Sequence, residues 1–229
     1  MLLCGCSHRA LLTSLTSPGS PELKMIVRLD ESAAVLDEIL SSPDKGIPHE
    51  ILARSQCVVI MPGLESYSLV VGAEWGSGFI SCRAKGGAGW TAPGALSLEG
   101  GSFGFQIGGG ATDLLLLVMN QGAEDKLLRA DFTIGVDAFA AAGPVGRSVG
   151  ADTGSALKAE ILSWSHSSGL FAGVSLEGAV LRQDAATLQL LYARAITNRQ
   201  VVMGRTKVPQ DARRLIGVLE HYSPRFGRE

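Results

Sequence analysis

The chain of 229 residues is 46% hydrophobic and only 18% charged, against about 25% charged in an average soluble domain, and 29 of its residues are glycine. Nine prolines and no glycine triplet period exclude collagen, and the net charge of −2 excludes a bulk electrostatic binder of nucleic acid. The longest aliphatic run, Leu114 to Met119, falls far short of the ~18 residues that a membrane-spanning helix needs.

In chain order, Leu3-Cys4-Gly5-Cys6-Ser7 has the pattern that ends a bacterial lipoprotein signal, with Cys6 as the acyl acceptor, although a basic start and most of an apolar stretch are missing. His8 to Glu22, rich in Ser, Thr and Pro, reads as a flexible tether. Residues 1–21 are thus expected to be signal remnant and tether, and 22–229 one folded domain.

Glu22 to Ser42 has helical periodicity, with Met25, Leu29, Ala33, Leu36 and Leu40 on one face. A short helix is expected from Pro48 to about Ser55. Cys57 to Met61 then opens a β-rich region, with a stop expected at Pro62-Gly63. Tyr67–Glu74, Gly78–Arg83, Ala95–Leu98, Phe103–Gly108, Leu114–Asn120 and Phe132–Phe139 follow as short, glycine-punctuated strands. Gln121–Arg129 reads as a short helix. Strands resume over Ile161–Leu181, with a hairpin around His166–Gly169. Asp184–Asn198 reads as a helix with Leu188, Leu191, Tyr192 and Ala195 inward. Gln210–Tyr222 reads as another, with Leu215, Ile216 and Leu219 inward and Arg213 and Arg214 outward. The fold class is α+β: a glycine-rich, barrel-like antiparallel core flanked by N- and C-terminal helices.

Charge is unevenly distributed. The segment from Val180 to Glu229 has nine basic and four acidic side chains, while the first 179 residues have 11 basic and 18 acidic. Such a basic end suits an anionic surface.

Motifs for chemistry are weak. Gly100-Gly101-Ser102-Phe103-Gly104 matches the nucleophile-elbow pattern, with His166 as a nominal base, but it lies between strands and not at a strand-to-helix turn. A serine hydrolase using Ser102 is therefore a remote alternative. The four histidines are scattered, and no Cys or His pair has metal-ligand spacing apart from Cys4 and Cys6. Neither metal nor cofactor is expected. Cys57 and Cys82, in apolar strands, read as buried free thiols. Gly146-Arg147-Ser148-Val149-Gly150 could hold an anion through backbone N–H groups and Arg147.

Several ordered blocks together resemble one family. The longest runs from Ser163-Trp164-Ser165-His166 through Gly169-Leu170-Phe171-Ala172-Gly173-Val174-Ser175-Leu176-Glu177-Gly178. Others are Gly46-Ile47-Pro48, Gly76-Ser77-Gly78-Phe79-Ile80, Trp90-Thr91-Ala92-Pro93, Gly104-Phe105-Gln106-Ile107-Gly108 with Thr112-Asp113, and Gly143-Pro144-Val145-Gly146-Arg147. Over about Ile26–Tyr192 the chain is similar to the SYLF domain family. The resemblance implies a non-enzymatic phospholipid-binding domain; some eukaryotic members bind phosphoinositides and associate with actin. Family members often carry basic residues at the positions of His166 and Ser168, so an anion-binding role of that loop is weakened here. There is no room for the Src-homology-3 domain of many eukaryotic relatives, so actin is not expected as a partner.

The expected ligand is an anionic phospholipid or membrane surface. Its candidate contacts are Arg147, Arg194, Arg199, Arg205, Lys207, Arg213 and Arg214. The expected location is the bacterial cell envelope, on the periplasmic side and lipid-anchored. An envelope interaction or structural module with incidental lipid binding is the alternative.

Overall fold

Apolar residues at three- and four-residue steps carry helix α1 (Pro21–Ser41) and bury Met25, Leu29, Ala33, Leu36, Ile39 and Leu40 along one face. Ser20 starts it by accepting the Leu23 N–H at 3.2 Å, with Pro21 in the first turn. The computed structural model describes residues 19–41, 46–67, 73–85, 89–100, 112–129, 131–145, 158–167, 170–174 and 176–224. Cys6, Ser102, Arg147, Ser168, Gly169 and the expected strand Phe103–Gly108 lie outside the described residues.

Helix α2 (His49–Arg54) follows Pro48 and closes at Ser55, whose hydroxyl donates to the Leu52 carbonyl at 2.8 Å. Strand β1 (Cys57–Tyr67) then passes straight through Pro62-Gly63, where a stop was expected. A register irregularity absorbs the two residues: pairing is broken between Ile60 and Glu65 on one side and between Met61 and Leu64 on the other. Gly63 takes φ +59° there, and its N–H donates to the Asp113 carboxylate at 2.9 Å. A bulge tolerates the proline that a regular ladder would reject.

The remaining strands are β2 (Ala73–Cys82), β3 (Gly94–Glu99), β4 (Thr112–Val118), β5 (Asp131–Thr133), β6 (Ala140–Ala142), β7 (Ile161–Ser167), β8 (Leu170–Gly173) and β9 (Val180–Gln183). Helix α3 (Gln121–Leu127) follows β4, capped by the Asn120 side chain on the Ala123 N–H at 2.8 Å. The expected strand Phe132–Phe139 is cut short because the chain turns at Gly135 (φ +85°), where Asp137 accepts from the Thr133 N–H.

One sheet holds all nine strands in the order β5-β9-β3-β2-β1-β4-β7-β6, antiparallel except for β6 beside β7. β6 and β8 share one edge of β7, pairing with Ile161–Ser163 and Trp164–Ser167 respectively. The sheet curls as a half-barrel with both faces buried. Alternate residues of β1 and β4 serve each face: Val58, Ile60, Leu115 and Leu117 meet the helices, while Val59, Met61, Leu114 and Leu116 fill the concave interior. That double burial is why Leu114 to Val118 is apolar without alternation.

After β9 come α4 (Ala185–Tyr192), α5 (Asn198–Met203), a 3-10 turn (Gln210–Ala212) and α6 (Arg213–Tyr222). The expected single helix Asp184–Asn198 is therefore corrected. The chain turns at Ala193 in the left-handed region (φ 53°), and Ala195, expected inward, is exposed. Helix α6 matches expectation: Leu215, Ile216 and Leu219 are buried, Arg213 and Arg214 exposed. It packs on α1, with Arg214 Nη1 3.5 Å from the Asp30 carboxylate and the Tyr222 hydroxyl donating to Asp37 at 2.9 Å. The buried face of α1 is thus committed to the core.

Arg83 joins distant parts of the chain. Buried at 5% exposure, it donates to the carbonyls of Ser55, Leu52 and Ser223 and to the Ser223 hydroxyl, and its guanidinium lies 3.9 Å from the Trp90 ring centre. Trp90 Nε1 in turn donates to the Leu219 and Ser223 carbonyls at 3.1 Å.

The expectation of free thiols at Cys57 and Cys82 is overturned, since a disulfide joins them. Antiparallel register sets the two residues directly opposite each other. The N–H and carbonyl of Cys82 turn away to Thr91, leaving a pair without ladder hydrogen bonds, the kind whose side chains lie closest.

Candidate anion-binding groove

Helix α5 is short and held at both ends. Thr197 and Gln200 form a reciprocal cap: the Thr197 side chain accepts the Gln200 N–H at 3.2 Å, and Gln200 Oε1 accepts the Thr197 N–H at 2.9 Å. Asn198, 1% exposed, pins the helix to β3 by accepting the Ala95 N–H and donating to the Ala95 carbonyl, each at 2.8 Å. Beyond Gly204, Arg205 takes the left-handed conformation (φ 53°), which few non-glycine residues adopt.

Two adjoining cavities flank this helix, of about 490 and 590 Å³, and both are lined by Met203 and Thr206. Arg194, Arg199 and Ile196 line the first; Lys85, Arg205, Trp90 and Val208 line the second. Four exposed cations thus surround a partly apolar floor. The ion pair in this cluster is Arg199 Nη1 to Asp125 Oδ1 at 3.7 Å, both side chains well exposed and hence weakly coupled.

The structure divides the basic residues expected to form one face. Arg194, Arg199 and Arg205 meet at the groove. Lys207 is exposed but does not line it, and Arg213 and Arg214 stand on α6, where Arg214 is engaged by Asp30. Lys85 was missed from sequence, because it comes from the segment after β2 and only the fold brings it to α5. The capping pattern Thr197-x-x-Gln200 was the local signal for α5.

His166 is placed against an anion-binding role. Its Nδ1 lies 3.1 Å from Asp113 Oδ2 and its Nε2 3.4 Å from Glu38 Oε1, so both ring nitrogens face carboxylates. These would repel a phosphate.

Beneath α5 lies a group that sequence reasoning did not single out. Glu124 of α3 is 3% exposed inside the half-barrel, and its Oε1 has no hydrogen-bond partner among the described residues. Burial raises its pKa, opposed by the nearby positive charge of Lys85.

Comparison with known proteins bears on this geometry. The family described as "Ysc84: Las17-binding protein actin regulator" matches residues 99–222, which include α4, α5, α6 and three of the four groove cations. "SH3 domain-containing YSC84-like protein 1" of Homo sapiens is 30% identical over 190 residues, covering 82% of this chain and 55% of that protein. "Protein YSC84" of Saccharomyces cerevisiae is 32% identical over 190 residues, covering 81% and 40%. An SH3 domain-containing protein of Schizosaccharomyces pombe is 36% identical over 176 residues, covering 76% and 40%. The chain spans about half the length of the curated relatives it matches. None of these names denotes an enzyme. The family description names an actin regulator, which removes the ground for setting actin aside as a partner. On this match the chain belongs to the Ysc84 family, the SYLF domain to which its sequence blocks pointed.

Proposed function

We propose that this domain is a non-enzymatic binder of anionic phospholipid, with the headgroup held in the groove around α5. The observation that carries the reading is the convergence of Lys85, Arg194, Arg199 and Arg205 on two joined, partly apolar cavities. Each basic side chain near an anionic membrane contributes about 1 kcal/mol, so four acting together support reversible association. The apolar floor at Met203, Ile196 and Val208 suits the glycerol and upper acyl region that lies below a headgroup. We also propose an envelope location through acylation of Cys6, for which detergent-phase partitioning lost on Cys6→Ser is the test.

Vesicle co-sedimentation of the unlipidated domain tests the lipid reading. Binding to vesicles containing phosphatidylserine or phosphatidate, none to phosphatidylcholine alone, and a steep fall between low salt and about 0.5 M are expected, since exposed charges are screened over a few ångströms at that ionic strength. Salt-independent binding, or equal binding to neutral vesicles, overturns the electrostatic groove. Absence of vesicle binding together with co-sedimentation on filamentous actin would favour an interaction module instead.

A further inference from the structure

Among the described residues, the concave interior of the half-barrel is largely apolar, and one cluster of metal-ligand side chains lies within it. The Sγ atoms of Cys57 and Cys82 and a carboxylate oxygen of Glu124 lie within 4.8 Å of one another, and all three residues are buried. β1, β2 and α3 supply them, from positions too far apart in the chain to show as a ligand motif. The carboxyl belongs to the first turn of α3, yet Oε1 finds no donor among the described residues. A buried polar atom without a partner is costly to keep, so its retention in an apolar interior needs a reason.

Two sulfurs and a carboxylate oxygen within 4.8 Å of one another, from three buried residues, form a donor set for a metal ion. We propose that, once the Cys57–Cys82 disulfide is reduced, Cys57, Cys82 and Glu124 bind a zinc ion. Thiolates select soft or borderline ions, while the carboxylate favours zinc over copper(I), which prefers sulfur alone. The charge balance is favourable: two thiolates and one carboxylate against a divalent ion leave one negative charge, and Lys85 and Arg199 supply the nearest opposing positive charges, with Asp125 beside them.

The disulfide gates the site. Its reduction takes two electrons and two protons from a dithiol reductant, which leaves as its own disulfide, and gives two thiols. Zinc entry then releases both thiol protons as two Zn–S bonds form. In the oxidised state neither sulfur is a thiolate and Glu124 Oε1 keeps no partner; in the zinc state all three donors are satisfied. Val202 and Met203 of α5 pack on the same apolar cluster as the two cysteines, so the site lies directly under the groove.

The test uses the full chain with Cys4→Ser and Cys6→Ser, so that thiol counts report the buried pair alone. After reduction by a phosphine and anaerobic exchange, the protein is titrated with cobalt(II) as the optical probe and then with zinc. The expected result is two titratable thiols, one cobalt per chain with a sulfur-to-cobalt charge-transfer band, and displacement of that band by zinc. Oxidation by diamide should abolish it. Glu124→Gln, which keeps the shape, should weaken cobalt binding by about tenfold or more. Circular dichroism of reduced protein and variant establishes that each stays folded. A folded, reduced protein without the charge-transfer band overturns the site, and so does failure to release thiols under native conditions. An affinity unchanged in Glu124→Gln overturns the carboxylate's place in it. If Glu124→Gln fails to fold, Cys57→Ser carries the same readout: a retained band overturns the proposal, a lost one supports it.

Discussion

Asn198 forms a two-way amide pair with the backbone of Ala95, its side chain completing at the start of α5 the hydrogen bonds that a neighbouring strand would have made. Gly94 makes room for it, since a Cβ there would run into the Asn198 side chain. Asn198→Ala strands the buried Ala95 N–H, while the Ala95 carbonyl keeps the Asp184 N–H, and should cost about 1–3 kcal/mol by urea denaturation. Because α5 carries Arg199 and bounds both cavities, vesicle binding should fall as well. Full binding by a folded Asn198→Ala protein would separate the groove from this anchor.

Arg205 offers a cleaner separation of stability from binding. Its left-handed backbone favours glycine, so Arg205→Gly should leave the thermal midpoint unchanged or raise it, by about 0.5–1 kcal/mol of relieved strain. The same variant loses a groove cation and should bind anionic vesicles less tightly. A drop in both properties would mean that Arg205 holds the fold and not the ligand.

Charge reversal at the groove should outweigh reversal on α6. Arg199→Glu with Arg205→Glu is expected to remove most vesicle binding. Arg213→Glu with Arg214→Glu should have the smaller effect, because Arg214 already faces Asp30. Measured in parallel at low salt, the opposite ranking would move the membrane contact to α6.

Gly173 faces the backbone of Gly143, and a Cβ there would collide with the Gly143 carbonyl oxygen and amide nitrogen. Gly173→Val should therefore lower stability by more than about 1 kcal/mol, as overpacking does. Gly178 differs: open space surrounds it, but φ is +82°, so Gly178→Ala should cost through backbone conformation alone. Unchanged urea midpoints for both would contradict this.

Tyr192 donates its hydroxyl to the Pro93 carbonyl at 2.6 Å, and burial pushes its pKa well above the tyrosine norm. In the unfolded chain it ionises near pH 10. With the folded value raised, its contribution is whole below about pH 10 and is lost as pH climbs toward that higher value. The denaturation midpoint should thus decline above about pH 10, and less so in Tyr192→Phe. Equal alkaline slopes would exclude Tyr192 as the cause.

The elements that were legible from sequence are those whose pattern is local. Helix α1 shows its buried face through residues three and four apart, and α6 separates Leu215, Ile216 and Leu219 from Arg213 and Arg214 in the same way. What was hidden depends on register or on remote partners. The Cys57–Cys82 bond needs β1 and β2 aligned residue by residue, and a Pro-Gly pair that normally ends a strand conceals how far β1 runs. Likewise the groove unites Lys85 with Arg199, more than a hundred residues later, so a basic C-terminal segment seen in isolation suggested one continuous face where the fold makes two.

Arg83 has a consequence for biosynthesis. Its guanidinium donates to the carbonyls of Leu52 and Ser55 beside α2 and of Ser223 just after α6. During translation the strands and α2 emerge first, and the guanidinium must wait, hydrated, until Ser223 has left the ribosome. Chaperone release or membrane engagement before α6 docks would therefore meet a core still lacking the Ser223 contacts of Arg83 and Trp90.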